Sequence, residues 1–186
     1  MFGWFAHALT AVCPHAGAGS ASRRWLRITP ESLLAYLPLL GSVLYLPSRA
    51  KHPTTGMLPN GWLVERAELE PLLHTCWLIA ASAINVDGPR EWLECIDAQG
   101  CLRARLHLLP DTDYLAWDAL LAQGKPLALP PHRRVQQPLR LASASVMVFQ
   151  HRRLAGLSIL SSIAPSRLST LGQGIARDVA RAEAGL

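Results

Sequence analysis

The sequence predicts an α+β domain in which helices pack on one side of an antiparallel β-sheet. Two turn signals, Asp87-Gly88 and residues 97–100, each separate two segments of strand character, which is typical of β-hairpins. Helix-start signals stand at Thr29 and Asp113, outside these hairpins. There is no regular alternation of strands and helices and no glycine-rich phosphate loop, so a parallel doubly wound sheet is not expected.

The first helix is expected to follow Thr29, a good N-cap that precedes proline and glutamate, and to run to about Leu37. Residues 42–46 then predict a strand, and the proline-rich residues 47–60 predict a loop.

Residues 62–73 are compatible with either a strand or a short helix. Residues 76–84 form a continuous apolar run, which suits a buried strand. Residues 92–96 and 102–108 predict the second hairpin, joined by the turn at 97–100.

A helix is expected to open at residues 110–113 and to close at Gly124. Its apolar face comprises Tyr114, Trp117, Leu120 and Leu121. After a proline-rich loop over 124–139, residues 145–150 and 157–163 predict two strands around a basic turn at 151–153. The last helix is expected to be capped by Ser166 and to carry apolar residues at helical spacing, namely Leu168, Leu171, Ile175 and Val179.

The composition indicates a globular chain. It has 186 residues, of which 50% are hydrophobic and 17% charged, and no apolar run is long enough for a membrane span. We expect residues 1–24 to form a flexible N-terminal segment and residues 25–186 a single domain. The first dozen residues lack the basic start of a secretory signal, and the four cysteines lack the spacing of a zinc site or a disulfide scaffold. The cytoplasm is therefore the expected compartment.

The charge is unevenly distributed. Basic residues exceed acidic ones by four in residues 1–60 and by seven in residues 121–186, whereas acidic residues are in excess by six between them, which gives the net charge of +5. The basic segments could attract an anion. No nucleic-acid-binding motif is present, so nucleic acid is not an expected partner.

Residues 102–108 alternate between apolar and polar side chains, which places Arg103, Arg105 and His107 on one face of the strand. A two-residue turn would put Glu94 opposite Arg103 and Trp92 opposite Arg105. This face could hold a flat aromatic ligand that carries carboxylates, with arginine pairing the acids and the aromatic rings contacting the plane. The alternative is a solvent-facing sheet with one Glu–Arg pair across the strands.

Other candidate ligands lie outside this strand. His52 stands in a loop near Arg49, where a solvated histidine is the simpler interpretation. Cys13-Pro14 resembles the short haem-responsive Cys-Pro motif, although two residues match often by chance. No nucleophile elbow or carboxylate pair is placed for hydrolytic chemistry.

Two stretches resemble the haem-utilisation proteins of the HemS/HmuS and ChuX/HutX type. Residues 37–55 read LPLLGSVLYLPSRAKHPTT and are similar to the family's LPxLGxVMxLTRN segment, with Arg49 near its Arg-Asn and His52 near its histidine. Residues 92–122 are similar to the family's hairpin and following helix, with Arg105 in place of its lysine. The family's Asn is missing, its VHE has become Lys51-His52-Pro53, and no counterpart of its haem-ligating helical histidine is evident.

The resemblance covers about 85 residues and corresponds to a single repeat of the two-repeat members. It implies a haem-binding protein that carries haem in iron acquisition, more a carrier than a haem-degrading enzyme, and one that forms a homodimer. The alternatives are haem degradation and an interaction module of the same fold that has lost haem. The residues expected to bind haem are His52, Arg49, Arg103, Arg105, His107 and Trp92, with His52 and His107 as the candidate iron ligands.

Overall fold

A mixed β-sheet is the centre of the fold. The computed structural model describes residues 21–48, 59–85, 88–128 and 143–184. Within these residues, nine strands form one sheet in the order β3-β9-β8-β2-β6-β5-β4-β1-β7. The strands are β1 (Ser22–Arg27), β2 (Gly41–Pro47), β3 (Trp62–Val64), β4 (Trp77–Asn85), β5 (Gly88–Ile96), β6 (Leu102–Thr112), β7 (Lys125–Pro126), β8 (Ser145–Leu154) and β9 (Leu157–Ile163).

Four α-helices are present in the same part of the chain: α1 (Pro30–Tyr36), α2 (Glu70–Leu73), α3 (Tyr114–Gln123) and α4 (Thr170–Ala184). The predicted caps are confirmed for α1 and α3. The Thr29 hydroxyl accepts a hydrogen bond from the backbone N–H of Ser32, and the Asp113 carboxylate accepts from those of Leu115 and Ala116. After α1 the chain continues as a 3-10 turn over Leu37–Leu39, which accommodates the proline that ends the α-helix.

The main core lies between α1–α3 and one face of the sheet. It includes Leu33 and Leu34 of α1, Leu72 of α2 and Trp117 of α3, all essentially inaccessible to solvent. Alternate residues of the central strands supply the opposing surface, including Tyr45, whose hydroxyl donates to the Glu68 carbonyl oxygen at 2.7 Å. Burial of this apolar area is the principal stabilising contribution to the fold.

The α+β class and the antiparallel arrangement of β4, β5 and β6 are confirmed. Two details differ from the expectation. β3 pairs with β9 in parallel, so the sheet is mixed. α4 packs on the opposite face from the other helices, where Ile175 and Ala176 contact Leu44, Leu46 and Leu109. The apolar periodicity of α4 identifies it as a helix, but periodicity does not specify which face of a sheet a helix covers.

Several element boundaries also differ. Residues 151–153 lie in β8 and not in a turn, because the tight turn occurs at Ala155 and Gly156, which both have positive φ. α4 begins after Ser169, whose hydroxyl accepts from the Gly172 N–H, and not after Ser166. Residues 62–73 contain both predicted alternatives, a short strand and a short helix.

The N-terminal boundary lies earlier than expected. Ser22–Arg27 pair with β4 in register, so residues 22–24 belong to the sheet and not to the flexible segment predicted for residues 1–24. Residues 1–20 and most of the predicted 47–60 loop fall outside the described residues. None of the helices described is both long and apolar enough to cross a membrane.

Candidate functional site

The β5–β6 hairpin positions the candidate site, with a register two residues away from the expected one. Trp92 lies opposite His107, and Glu94 lies opposite Arg105. The turn is longer than two residues because the Asp97 carboxylate accepts hydrogen bonds from the backbone N–H groups of Gln99 (2.9 Å) and Cys101 (2.8 Å).

A β-bulge removes Arg103 from the predicted set. Ile96 pairs with Leu102 and Cys95 with Ala104, so Arg103 is the extra residue on β6. Leu102 packs with Ile79 and Ile96 on the face that carries Arg105, and Arg103 instead binds Asp97, with 2.6 Å between Nε and Oδ2. The prediction that three polar side chains share one face is therefore wrong for Arg103, because a bulge interrupts the two-residue period.

Glu94 is the centre of the charge cluster on this face. Its side chain is only 1% exposed. One oxygen, Oε1, lies 3.1 Å from Nη2 of Arg105 and 3.2 Å from Nη2 of Arg23, and it also accepts the Trp92 indole N–H at 3.2 Å. A buried carboxylate requires such partners, because isolated burial of its charge is very unfavourable.

Arg105 is held between two carboxylates. Besides Glu94, it contacts Glu183 of α4, with Nη1 at 2.5 and 2.6 Å from the two carboxylate oxygens. The Arg105 side chain is 18% exposed and its Nε has no hydrogen-bond partner. Two residues of this cluster were not predicted from the sequence. Arg23 falls in the segment that was expected to be flexible, and Glu183 is 78 residues away from Arg105 along the chain.

His107 is buried beside this cluster. It is 6% exposed, its ring stacks on that of Trp92 with centroids 5.9 Å apart and an interplanar angle of 22°, and Nε2 has no hydrogen-bond partner. Burial and the positive charge of Arg105 lower the pKa of His107 to about 3. The ring is therefore neutral near pH 7, and neutral imidazole is the form that ligates metals.

We expect His107 to make the fold sensitive to acid. Its pKa is about 3 in the fold and 6.5 as the ordinary value, so the unfolded chain binds more protons between these pH values. The contribution of neutral His107 to the free energy of unfolding is complete above pH 6.5 and is lost as the pH falls toward 3. His107→Phe keeps a ring against Trp92. It should make the free energy of unfolding depend less steeply on pH between pH 6 and 4, by up to about 1.4 kcal/mol per pH unit.

Urea unfolding of both proteins at several pH values tests this expectation. His74 also has a lowered pKa, from burial and the charge of Arg103, but it is present in both proteins and its contribution cancels. Parallel pH profiles for the two proteins would contradict the expectation.

The remaining predicted ligands are not placed by the structure. Arg49, His52 and Cys13 lie outside the described residues and stay predictions. Among the residues described, no group of three or more His, Cys, Asp or Glu side chains is arranged to hold a metal ion. Cys76, Cys95 and Cys101 are free thiols, and burial raises the pKa of Cys95 to about 12.

Comparison with known proteins finds partial matches to solved structures at low sequence identity. No protein-family profile and no curated protein sequence matches the chain. One similar solved structure is the haem-degrading enzyme ChuS of Escherichia coli O157:H7, with 18% identity, a TM-score of 0.40, and coverage of 60% of this chain and 39% of that one. Another is the holo form of PhuS, a haem-binding protein from Pseudomonas aeruginosa, with 20% identity, a TM-score of 0.37, and coverage of 62% and 40%. The chain thus spans about two fifths of the length of these proteins.

Proposed function

We propose that this protein binds haem and carries it, with His107 as the residue that would ligate the iron. The observation that carries the proposal is a buried, neutral imidazole whose Nε2 has no protein partner and whose ring stacks on Trp92. The resemblance of residues 37–55 and 92–122 to haem-utilisation proteins supports haem as the molecule bound. When bound, haem would supply an iron that accepts a neutral nitrogen ligand.

The neighbouring side chains fit the rest of such a ligand. Haem carries two carboxylates, and Arg23 and Arg105 lie beside His107 and Trp92 on the same face of the sheet. The Arg23 side chain is 46% exposed, so its guanidinium can accept a second anionic partner besides Glu94. Arg103, which binds Asp97, has no part in this proposal.

A hemin titration followed by Soret absorbance tests the proposal. The wild-type protein should produce a shifted Soret band, and His107→Ala should abolish or shift it. His151→Ala is a matched control. The ring of His151 also stacks on a tryptophan, with its centroid 5.0 Å from that of Trp62, but His151 lies exposed on β8. Arg105→Gln, which keeps a polar group beside Glu94, should weaken hemin binding by about 1.5–3 kcal/mol, the usual scale of a charge-assisted hydrogen bond.

The same titration discriminates between the candidate ligands. His52→Ala should change the spectrum if the loop histidine is the second axial ligand. A spectrum unaltered in the double variant His52→Ala/His107→Ala would show that neither histidine binds iron. A wild-type protein that gives no Soret shift would favour the interaction module instead.

The proposal includes a carrier role in the cytoplasm and a homodimer. Adding a reductant and oxygen to the hemin complex should shift the Soret band as the iron changes its oxidation state but preserve its intensity, whereas progressive loss of that band would indicate haem degradation. Light scattering during size-exclusion chromatography should give twice the chain mass of 20.3 kDa. The single chain mass would contradict the dimer.

A further inference from the structure

Helix α4 lies lengthwise over the strand that carries the proposed site. At its N-terminal end, the backbone N–H and the hydroxyl of Ser169 donate to the two carboxylate oxygens of Asp111, at 2.9 and 2.8 Å. At its C-terminal end, Glu183 binds Arg105 through both oxygens. Residues 169–183 of a helix span about 21 Å and residues 105–111 of a strand span about 20 Å. The two contacts therefore hold the helix along β6.

Between these two ends, the apolar contact of α4 with the described residues is small. Among those residues its buried cluster has five members, of which the helix supplies Ile175 and Ala176, with the partly buried Val179 packed against them, whereas the core under the other helices has 21. Leu171 of α4 is 63% exposed. Elements with little buried apolar area open at a lower free energy than the global unfolding transition, so α4 can separate while the main core persists.

The helix covers the functional face. His107 lies on the sheet between Leu109, the next residue on the same face of β6, and Arg105. Its partner on β2 is Leu44, and both leucines pack under α4. Nη1 of Arg105, which would pair with a carboxylate of the ligand, is already bound by both carboxylate oxygens of Glu183. A second carboxylate cannot bind the N–H groups of the same nitrogen at the same time.

We propose that Glu183 is an internal competitor for Arg105, and that α4 is a displaceable cover which a carboxylate-bearing ligand lifts by exchanging with Glu183. This inference rests on the proposed function, since it regulates the same site. The ligand carboxylate takes the Nη1 position that Glu183 leaves, and Glu94 remains on Nη2. Release of the helix also uncovers Nε2 of His107.

The helix dipole makes the test specific. An acidic residue in the last turn of a helix is unfavourable, because the C-terminal end carries partial negative charge. Glu183→Gln should therefore stabilise an isolated α4 slightly. Faster hydrogen exchange of α4 in this variant would therefore report the loss of the contact with Arg105 and not a weaker helix.

Hydrogen exchange of the ligand-free protein tests the cover alone. In Glu183→Gln, we expect the amides of residues 175–183 to exchange about tenfold faster, with no change in α1 and α3. Asp178→Asn is the matched control, because it removes the same charge from an exposed position of the same helix. Ser169→Ala, which loosens the other end, should act in the same direction as Glu183→Gln.

Hemin binding to the same proteins tests the competition. Glu183→Gln should bind hemin about tenfold more tightly than the wild type, Asp178→Asn should bind like the wild type, and hemin should speed exchange in α4 of the wild type. If Glu183→Gln and the wild type bind hemin with equal affinity, and α4 stays protected from exchange, the proposal of a displaceable cover is wrong. The proposed function would then remain intact. Loosening of α4 in the ligand-free variant without hemin binding in either protein would instead overturn the proposed function and the exchange of carboxylates.

Discussion

Glu94→Ala should lower the free energy of unfolding by about 3 kcal/mol, the lower end of the range for breaking a buried ion pair. The carboxylate is 1% exposed and is the common partner of Arg23, Arg105 and the Trp92 indole. Its removal leaves the largely buried Arg105 with Glu183 as its remaining carboxylate. Because Glu183 keeps part of this charge compensated, the loss should not reach the upper end of the range.

Urea unfolding near pH 7 measures this loss, with Glu65→Ala as the matched control. Glu65 also forms an ion pair between elements, with Arg152 at 3.6 Å, but both side chains are about half exposed or more. Exposed ion pairs of this kind contribute about 0–1 kcal/mol to the free energy of unfolding. Equal effects of the two substitutions would show that the Glu94 cluster is not a buried network.

Trp117→Ala should lower the free energy of unfolding by about 3–5 kcal/mol, the usual range when a large aromatic residue is removed from a core. Trp117 is 2% exposed and belongs to the cluster that α1, α2 and α3 bury against the sheet. The neighbouring side chains cannot close a cavity of this size without moving three helices. The variant should therefore unfold at a markedly lower urea concentration.

Tyr114→Ala in the same helix is the control for Trp117→Ala. The sequence pattern assigned both residues to the apolar face of α3, but Tyr114 is 54% exposed. A surface substitution of this kind changes stability by about 0.5 kcal/mol or less. A large loss for Tyr114→Ala would place the buried face of α3 differently from the structure.

Local chemistry explains which elements could be predicted. Thr29 and Asp113 cap the helices that were expected after them, because a capping oxygen acts on N–H groups two or three residues away. The β4–β5–β6 meander follows from turn residues and apolar runs in the same short stretch of chain. These interactions are local, so the sequence reveals them directly.

The candidate site was predicted only in part. Arg105, His107 and Trp92 do lie together, because the two-residue period of a strand preserves the face even when the register moves by two residues. Arg103 does not join them, since the position of a bulge depends on how the Asp97 turn closes the hairpin.

By itself, the sequence determined the α+β class, the hairpins, the helix caps, and the placement of Arg105 and His107 on one face of a strand. The tertiary structure decided that α4 crosses to that face, that Glu183 meets Arg105, and that Glu94 joins Arg105 to Arg23. The contacts of Glu94 with Arg23 and of Glu183 with Arg105 connect residues 71 and 78 positions apart, and each depends on the packing of a helix or strand whose own sequence pattern carries no information about its neighbour. The physical reason is that capping and periodicity act within a few residues, whereas charge pairing across a sheet is fixed only when the whole chain has folded.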